Sequence, residues 1–195
     1  MRRLSSLNRA SDQRVNSNAS EVRPLLKQIG IRNVSFGINV VVVEPCNLYD
    51  CALGDDCFVG PFVEIQRGVK IGARCKIQSH AFLCELVSVG DDCVVAHGVM
   101  FINDLYRSGS PARGDRRLWK ETIIGNRVLI GSNSTILPVR ICDGVTIGAG
   151  SVVTKDITSP GIYAGNPARR LRGFESATAR PSEPQIPACD NLNNR

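Results

Sequence analysis

The sequence predicts an all-β domain, a single-stranded parallel β-helix of hexapeptide repeats with one extended loop insertion. Two observations carry this. Leu53, Val59, Ile65, Ile71, Ile77, Leu83, Val89, Val95 and Phe101 follow one another at six-residue steps. A second column, Cys57, Val63, Val69, Cys75, Ala81, Val87, Cys93, Val99 and Leu105, runs four residues after the first. Within each unit the apolar residues therefore sit two apart, the one-face spacing of a short strand, whereas a helix would repeat them near 3.6. Turn formers fill the gaps, as in Gly54-Asp55-Asp56, Gly72-Ala73-Arg74 and Gly90-Asp91-Asp92. Strand and turn alternating at this period are a β-helix signature. Three units make a coil of about 18 residues, and coils stack about 4.8 Å apart.

Taken along the chain, Val41 and Asn47 fit the column poorly, which predicts an irregular first coil. After Phe101 the pattern stops, then resumes at Leu118, Ile124, Ile130 and Ile136, with a five-residue step to Ile141, then Ile147 and Val153. An eleven-residue insertion at 107–117 would keep the three faces in phase. The predicted domain is 33–173, with its loop insertion at about 103–117. Residues 174–195 are polar and Pro-containing, and residues 1–32 form a basic tail; both are expected to be disordered.

The net charge of +6 belongs mostly to that tail. Residues 1–32 hold seven Lys/Arg against two acids, leaving 17 against 16 elsewhere, so no basic face for nucleic acid is expected. No apolar run approaches the roughly 20 residues that span a membrane, and no apolar segment of a secretory signal opens the chain. Cys57, Cys75 and Cys93 stand 18 apart and should stack as small hydrophobes on one inner face, with Cys51 in an equivalent column. No Cys or His spacing suggests a metal site. Reduced cysteines fit a cytoplasmic protein.

Several stretches carry a resemblance: GPFVEIQ (60–66), HGVMFINDLY (97–106), GSPARGD (109–115) followed by Trp119, ILPVRICD (136–143), GAGSVVTKDI (148–157) and IYAGNPARRLR (162–172). Over about residues 50–172 the chain resembles the left-handed β-helix acyltransferases. Within them it resembles the nucleotide-sugar 3-N-acetyltransferases, in particular the transacetylase domain of the bifunctional enzymes that make dTDP-3-acetamido-3,6-dideoxyhexoses. The resemblance implies the left hand of the coil, a homotrimer, and acetyl-CoA as cosubstrate with no metal. It also implies a nucleotide-sugar acceptor, with a place in surface-polysaccharide (O-antigen) sugar biosynthesis. The bifunctional relatives carry a cupin-type isomerase domain that finds no counterpart here, so only the transfer step is expected. A hexapeptide O-acetyltransferase acting on a hydroxyl is the alternative.

Acetyl transfer from a thioester to an amine needs a neutral amine, a proton acceptor and stabilisation of the oxyanion. His97 lies two residues after Val95, at an outward turn position, and imidazole changes charge near neutral pH. It is either a base or a corner histidine bonded to a neighbouring carbonyl. His80 lies one coil below and one residue out of register, close enough to join it. In the resembling family some members use a histidine base, while in others water or the departing thiolate is proposed, so the base stays open. Asn103 falls 18 residues after Glu85 and should stack on it; with Asp104 the pair can orient an amine, or Asn-Asp merely starts a turn. Glu64 and Gln66 are candidates for sugar hydroxyls.

Arg107, Arg113, Arg116 and Arg117, with Asp115 as the one nearby acid, suit a diphosphate, because guanidinium binds phosphate oxygens in pairs. Trp119 stacks on a base or anchors the loop. Gly131, Ser132, Gly148 and Ala149 offer small residues along which a pantetheine arm can lie, and Arg169 and Arg170 can meet the phosphates of CoA.

Overall fold

A computed structural model describes residues 24–174; the expected disorder of the two tails falls mostly outside them. The chain winds as a left-handed parallel β-helix of short strands on three faces. The first face has seven strands, from Ile31–Arg32 and Asn47–Tyr49 through Glu64–Ile65, Phe82–Leu83 and Met100–Phe101 to Thr135–Ile136 and Val152–Val153. The second has six, from Ser35–Phe36 to Arg140–Ile141. The third has eight, seven parallel strands from Val41–Val42 to Gly161–Ala164 and a closing antiparallel one, Arg169–Arg172.

The predicted column is the core. Val59, Ile65, Ile77, Leu83 and Val95 are fully buried, and the second column (Val63, Val69, Cys75, Ala81, Val87, Val99) is buried beside it. Burial of this stripe is the main favourable term, at roughly 25 cal/mol per Å² of apolar surface. Each corner sharpens through one residue in the left-handed region. At the corner from third to first face these are Phe62, His80, Gly98, Asn133 and Gly150; at that from second to third they include Asn39, Asp56, Arg74 and Asp92. The Gly-Asp pairs explain themselves at the latter corner. A Cβ on Gly54 would stand 2.8 Å from the backbone nitrogen of Ala73 in the coil above. The acid at this corner reaches down: Asp91 Oδ1 accepts the Ala73 N–H at 2.9 Å, and Asp143 Oδ1, after Cys142, accepts that of Asn126 at 2.9 Å.

Two expectations are corrected. The first coil is regular in pairing, since Ile31–Arg32 pairs with Leu48 and Tyr49, but Leu48 rather than Asn47 points inward. A five-residue step from Leu48 to Leu53 puts Phe36, Val42 and Leu48 one residue out of phase with the column. Second, Leu118 is not a core residue. It is 50% exposed and ends the short 3-10 helix Arg116–Leu118. The next strand is Thr122–Ile124, which pairs with Val87–Val89, so Ile124 follows Phe101 in the column. That step is 23 residues instead of six, making the insertion seventeen residues long rather than eleven.

Candidate functional site

Two corners of the coil gather the candidate residues, and they are different corners. The first lies between the third and first faces. There the backbone runs Gly60-Pro61-Phe62, Gln78-Ser79-His80, Ala96-His97-Gly98, Gly131-Ser132-Asn133 and Gly148-Ala149-Gly150, one set per coil. His97 therefore stands in one ladder with Ser79 below and Ser132 and Ala149 above. Its ring is exposed, and Nδ1 lies 2.7 Å from Ser79 Oγ, a side-chain partner rather than a carbonyl. His80 does not join it. His80 occupies the left-handed slot of its turn, at φ 64°, and its ring stacks on Phe62 at 4.9 Å.

Above His97 the corner is made of small residues pressed together. A Cβ on Gly131 would stand 2.5 Å from the Ala149 backbone nitrogen. Ser134 and Ser151, both buried, donate to the Gly148 carbonyl at 3.1 and 2.6 Å and fix the corner from inside. Arg169 and Arg170 flank the top of this edge on the terminal strand, paired with Ala164 and Tyr163. With Lys155 and Tyr163 they line a cavity of about 330 Å³.

The second corner, between the first and second faces, is polar and acidic. Asn103 does stack on Glu85, but its amide donates to the Glu85 carbonyl at 3.1 Å rather than to the carboxylate. The Glu85 N–H reaches Gln66 Oε1 at 3.4 Å, and Gln66 Nε2 donates to Glu64 Oε1 at 2.9 Å. Glu85 Oε2 is buried, and the partner it has is the Arg116 guanidinium, whose Nη2 lies 2.7 Å away in an ion pair. A buried carboxylate oxygen with incomplete hydrogen bonding has capacity left for another donor.

The insertion folds over this corner from Ile102 to Glu121. Asp104 organises it: one carboxylate oxygen accepts the Tyr106 N–H at 2.9 Å and the other the Ala112 N–H at 2.7 Å, and Ala112 is buried. Asp115 caps the 3-10 helix and holds Arg117 through two hydrogen bonds, at 2.9 and 2.7 Å. The Arg117 guanidinium keeps the Asp115 carboxyl below the usual carboxylate range. Arg113 is exposed, and Trp119 is half-buried. Arg107 and Lys120 line two small cavities of about 220 Å³ each.

The sequence reasoning missed a third group. A cavity of about 690 Å³ sits lower on this second corner, with Lys27, Arg32, Asn33, Tyr49, Asp50 and Arg67 among its walls. Arg67 lies one coil below Glu85 and Tyr49 two coils below, so counting down from Glu85 would have found them. Among the described residues no cluster of three or more His, Cys, Asp or Glu can hold a metal ion, and no helix is long and apolar enough to cross a membrane.

Residues 50–85 match the family described as bacterial transferase hexapeptide (six repeats), and residues 121–155 match the hexapeptide repeat of succinyl-transferase. The chain is similar to the bifunctional protein GlmU of Baumannia cicadellinicola, 32% identical over 147 residues, which cover 66% of this chain and 29% of that protein. It is similar also to GlmU of Gloeothece citriformis, 33% identical over 135 residues, covering 65% and 30%. The chain thus spans about 30% of the length of these curated relatives. Among solved structures, a point mutant of AntD, an N-acyltransferase from Bacillus cereus in complex with dTDP and coenzyme A, matches with a TM-score of 0.62 at 24% identity, over 72% of this chain and 84% of that one. That likeness establishes the common fold. The lower and the upper coils of this β-helix thus each carry a match to a hexapeptide transferase repeat.

Proposed function

We propose that the protein is an acetyl-CoA-dependent N-acetyltransferase acting on the 3-amino group of a nucleotide-linked amino sugar, of the dTDP-3-amino-3,6-dideoxyhexose type. The observation that carries this is Glu85, a buried carboxylate held between Gln66 and Asn103 and paired with Arg116, with room at its oxygens for a further donor. An amine is a donor such a carboxylate suits, and the cations Lys27, Arg32 and Arg67 lower on the same corner suit the diphosphate that the sugar carries. The dTDP and coenzyme A bound by AntD support the same two substrate classes.

In this proposal the working form is a homotrimer. A cyclic trimer is heterologous: each interface joins two different surfaces of the same chain. Here these are the His97 corner of one copy and the Glu85 corner of the next. The pantetheine arm lies along Ser132, Gly148 and Ala149, with Arg169 and Arg170 near the CoA phosphates. The neutral amine attacks the thioester carbonyl, the new C–N bond forms and the C–S bond breaks. CoA leaves as thiolate, and the ammonium proton passes to His97 Nε2 and on to the thiolate. Glu85 and Asn103 position the amine, with Glu64 and Gln66 beside the sugar hydroxyls.

A second reading, O-acetyl transfer to a sugar hydroxyl, is favoured by one observation, the His97–Ser79 hydrogen bond at 2.7 Å, because an alcohol needs a base. The test is thiol release from acetyl-CoA with a panel of dTDP- and UDP-linked 3-amino and 4-amino sugars beside hydroxyl acceptors. Turnover with a dTDP-linked 3-amino sugar is expected. Activity confined to hydroxyl acceptors overturns the N-acetyl reading.

A further inference from the structure

One cavity beside the coil has no part in the acetyl-transfer step described above. It lies on the same corner as Glu85, toward the N-terminal end, and its volume of about 690 Å³ falls in the usual range for small-ligand sites. Its walls are cationic and flat. Arg32 lies over the Tyr49 ring at 5.3 Å, held by hydrogen bonds to the Gln28 carbonyl at 2.7 Å and Asn47 Oδ1 at 3.3 Å. Arg67 is fixed by Asp50 through Nε alone, at 3.1 Å. Lys27 adds a third positive charge against the single acid Asp50.

We infer, resting on the proposed nucleotide-sugar reading, that this cavity is the nucleoside diphosphate subsite, with the phosphates on Arg67 and Lys27 and the base on the Tyr49–Arg32 platform. Spacing supports the assignment. Coils rise about 4.8 Å each, so Arg67, Tyr49 and Arg32 lie roughly one, two and three coils below Glu85. A sugar amine held at Glu85 then puts the anomeric diphosphate near Arg67 and the base near Tyr49, as an extended nucleotide sugar requires. Chemistry supports it too. An aromatic ring stacked with a guanidinium is a platform on which nucleobases lie, and guanidinium presents paired donors to phosphate. The insertion is a poorer diphosphate site than its arginine content suggests. Arg116 is paired with Glu85 and Arg117 with Asp115, and the cavities near Arg107 are about 220 Å³.

The test is titration of the full-length protein with dTDP and with UDP by calorimetry, beside thiol-release kinetics. Arg67→Ala and Tyr49→Ala are expected to weaken nucleotide binding at least tenfold and to raise KM for the nucleotide sugar, with KM for acetyl-CoA unchanged. Tyr49→Phe should keep most of the binding because the ring remains, and Arg107→Ala and Arg117→Ala should stay within about twofold. Thermal melts confirm that each variant is folded. Wild-type affinity in folded Arg67→Ala and Tyr49→Ala, with loss in Arg107→Ala or Arg117→Ala, overturns the inference and moves the diphosphate to the insertion. Wild-type protein that binds neither nucleotide, yet acetylates an unlinked acceptor, sinks the nucleotide-sugar reading itself.

Discussion

His97 Nδ1 sits 2.7 Å from the Oγ of Ser79, one coil below it and in the same slot of the corner. Either atom can donate to the other, as the imidazole tautomer dictates. When Nδ1 carries the proton, the serine oxygen accepts, and the lone pair of Nε2 is the one left for a substrate proton. In the proposed mechanism Ser79 is thus a positioning residue. His97→Asn is expected to lower kcat about 100-fold, in the range of a general base. Ser79→Ala should cost less, with KM for acetyl-CoA unchanged. Ser79→Asp should move the acid limb of the pH–rate profile to higher pH, because a carboxylate favours the imidazolium. A His97→Asn enzyme with wild-type kcat would remove the histidine from the chemistry.

Gly131→Ala tests the small-residue edge above His97. The added Cβ would lie 2.5 Å from the Ala149 nitrogen, and backbone cannot yield as a flexible side chain does. The two coils must part, at about 1–3 kcal/mol by the usual cost of overpacking. A lower melting temperature is expected together with a raised KM for acetyl-CoA, and kinetics at a temperature where the variant is folded separate the two. An unchanged KM would take the pantetheine arm off this edge.

How much of this was legible in the sequence follows from the geometry. From Leu53 to Phe101 the coil has no insertion or deletion, so a six-residue count reads the inner face directly, and the 18-residue count puts Asn103 on Glu85. The same count fails wherever a residue is gained or lost. It failed at Leu48–Leu53, where one residue is missing, and at Leu118, an apolar side chain that happened to keep phase inside a 3-10 turn. The site was harder for another reason. His97 and Asn103 are six residues apart and look like neighbours, yet in a triangular coil six residues carry the chain from one corner to the next. Arg67 and Tyr49 were reachable by counting coils, but no motif marked them.

Stability should fall modestly in acid. Asp92 is held below the usual carboxylate range by its hydrogen bonds from Arg74, at 2.6 and 2.9 Å. Asp143 is held low by the N–H and then the side-chain amide of Asn126, and Asp50 by Asn33 and then Arg67. A carboxylate whose folded pKa is depressed adds stability above its unfolded value, near 3.9, and loses it as pH falls through the folded value. Asp92→Asn is therefore expected to melt below wild type at pH 7, with the gap closing as pH drops below about 4. A gap that persists unchanged to pH 2.5 would assign the loss to packing rather than charge. High salt should narrow the pH 7 gap, since the pair is exposed.

The cysteine ladder gives the last prediction. Cys57, Cys75 and Cys93 are buried, and each donates to a glycine carbonyl of the coil above: Gly72 at 3.0 Å, Gly90 at 3.1 Å and Gly125 at 3.1 Å. Thiols that act as donors in a closed core are structural, not nucleophilic. Burial pushes the Cys84 thiol up to about 12 and Cys51 to about 11, so neither supplies thiolate at neutral pH, whereas the hydrogen bond with Cys75 lowers Cys93. Cys142 alone among the described cysteines is half-exposed. In a Cys189→Ser background, iodoacetamide at pH 8 should therefore label Cys142 first. The six buried cysteines should react only at the rate of global unfolding, read by mass spectrometry against a denaturant series. Rapid labelling of Cys75 or Cys93 in the native protein would mean that the coil opens locally, and the ladder would then be a weak seam rather than part of the closed core.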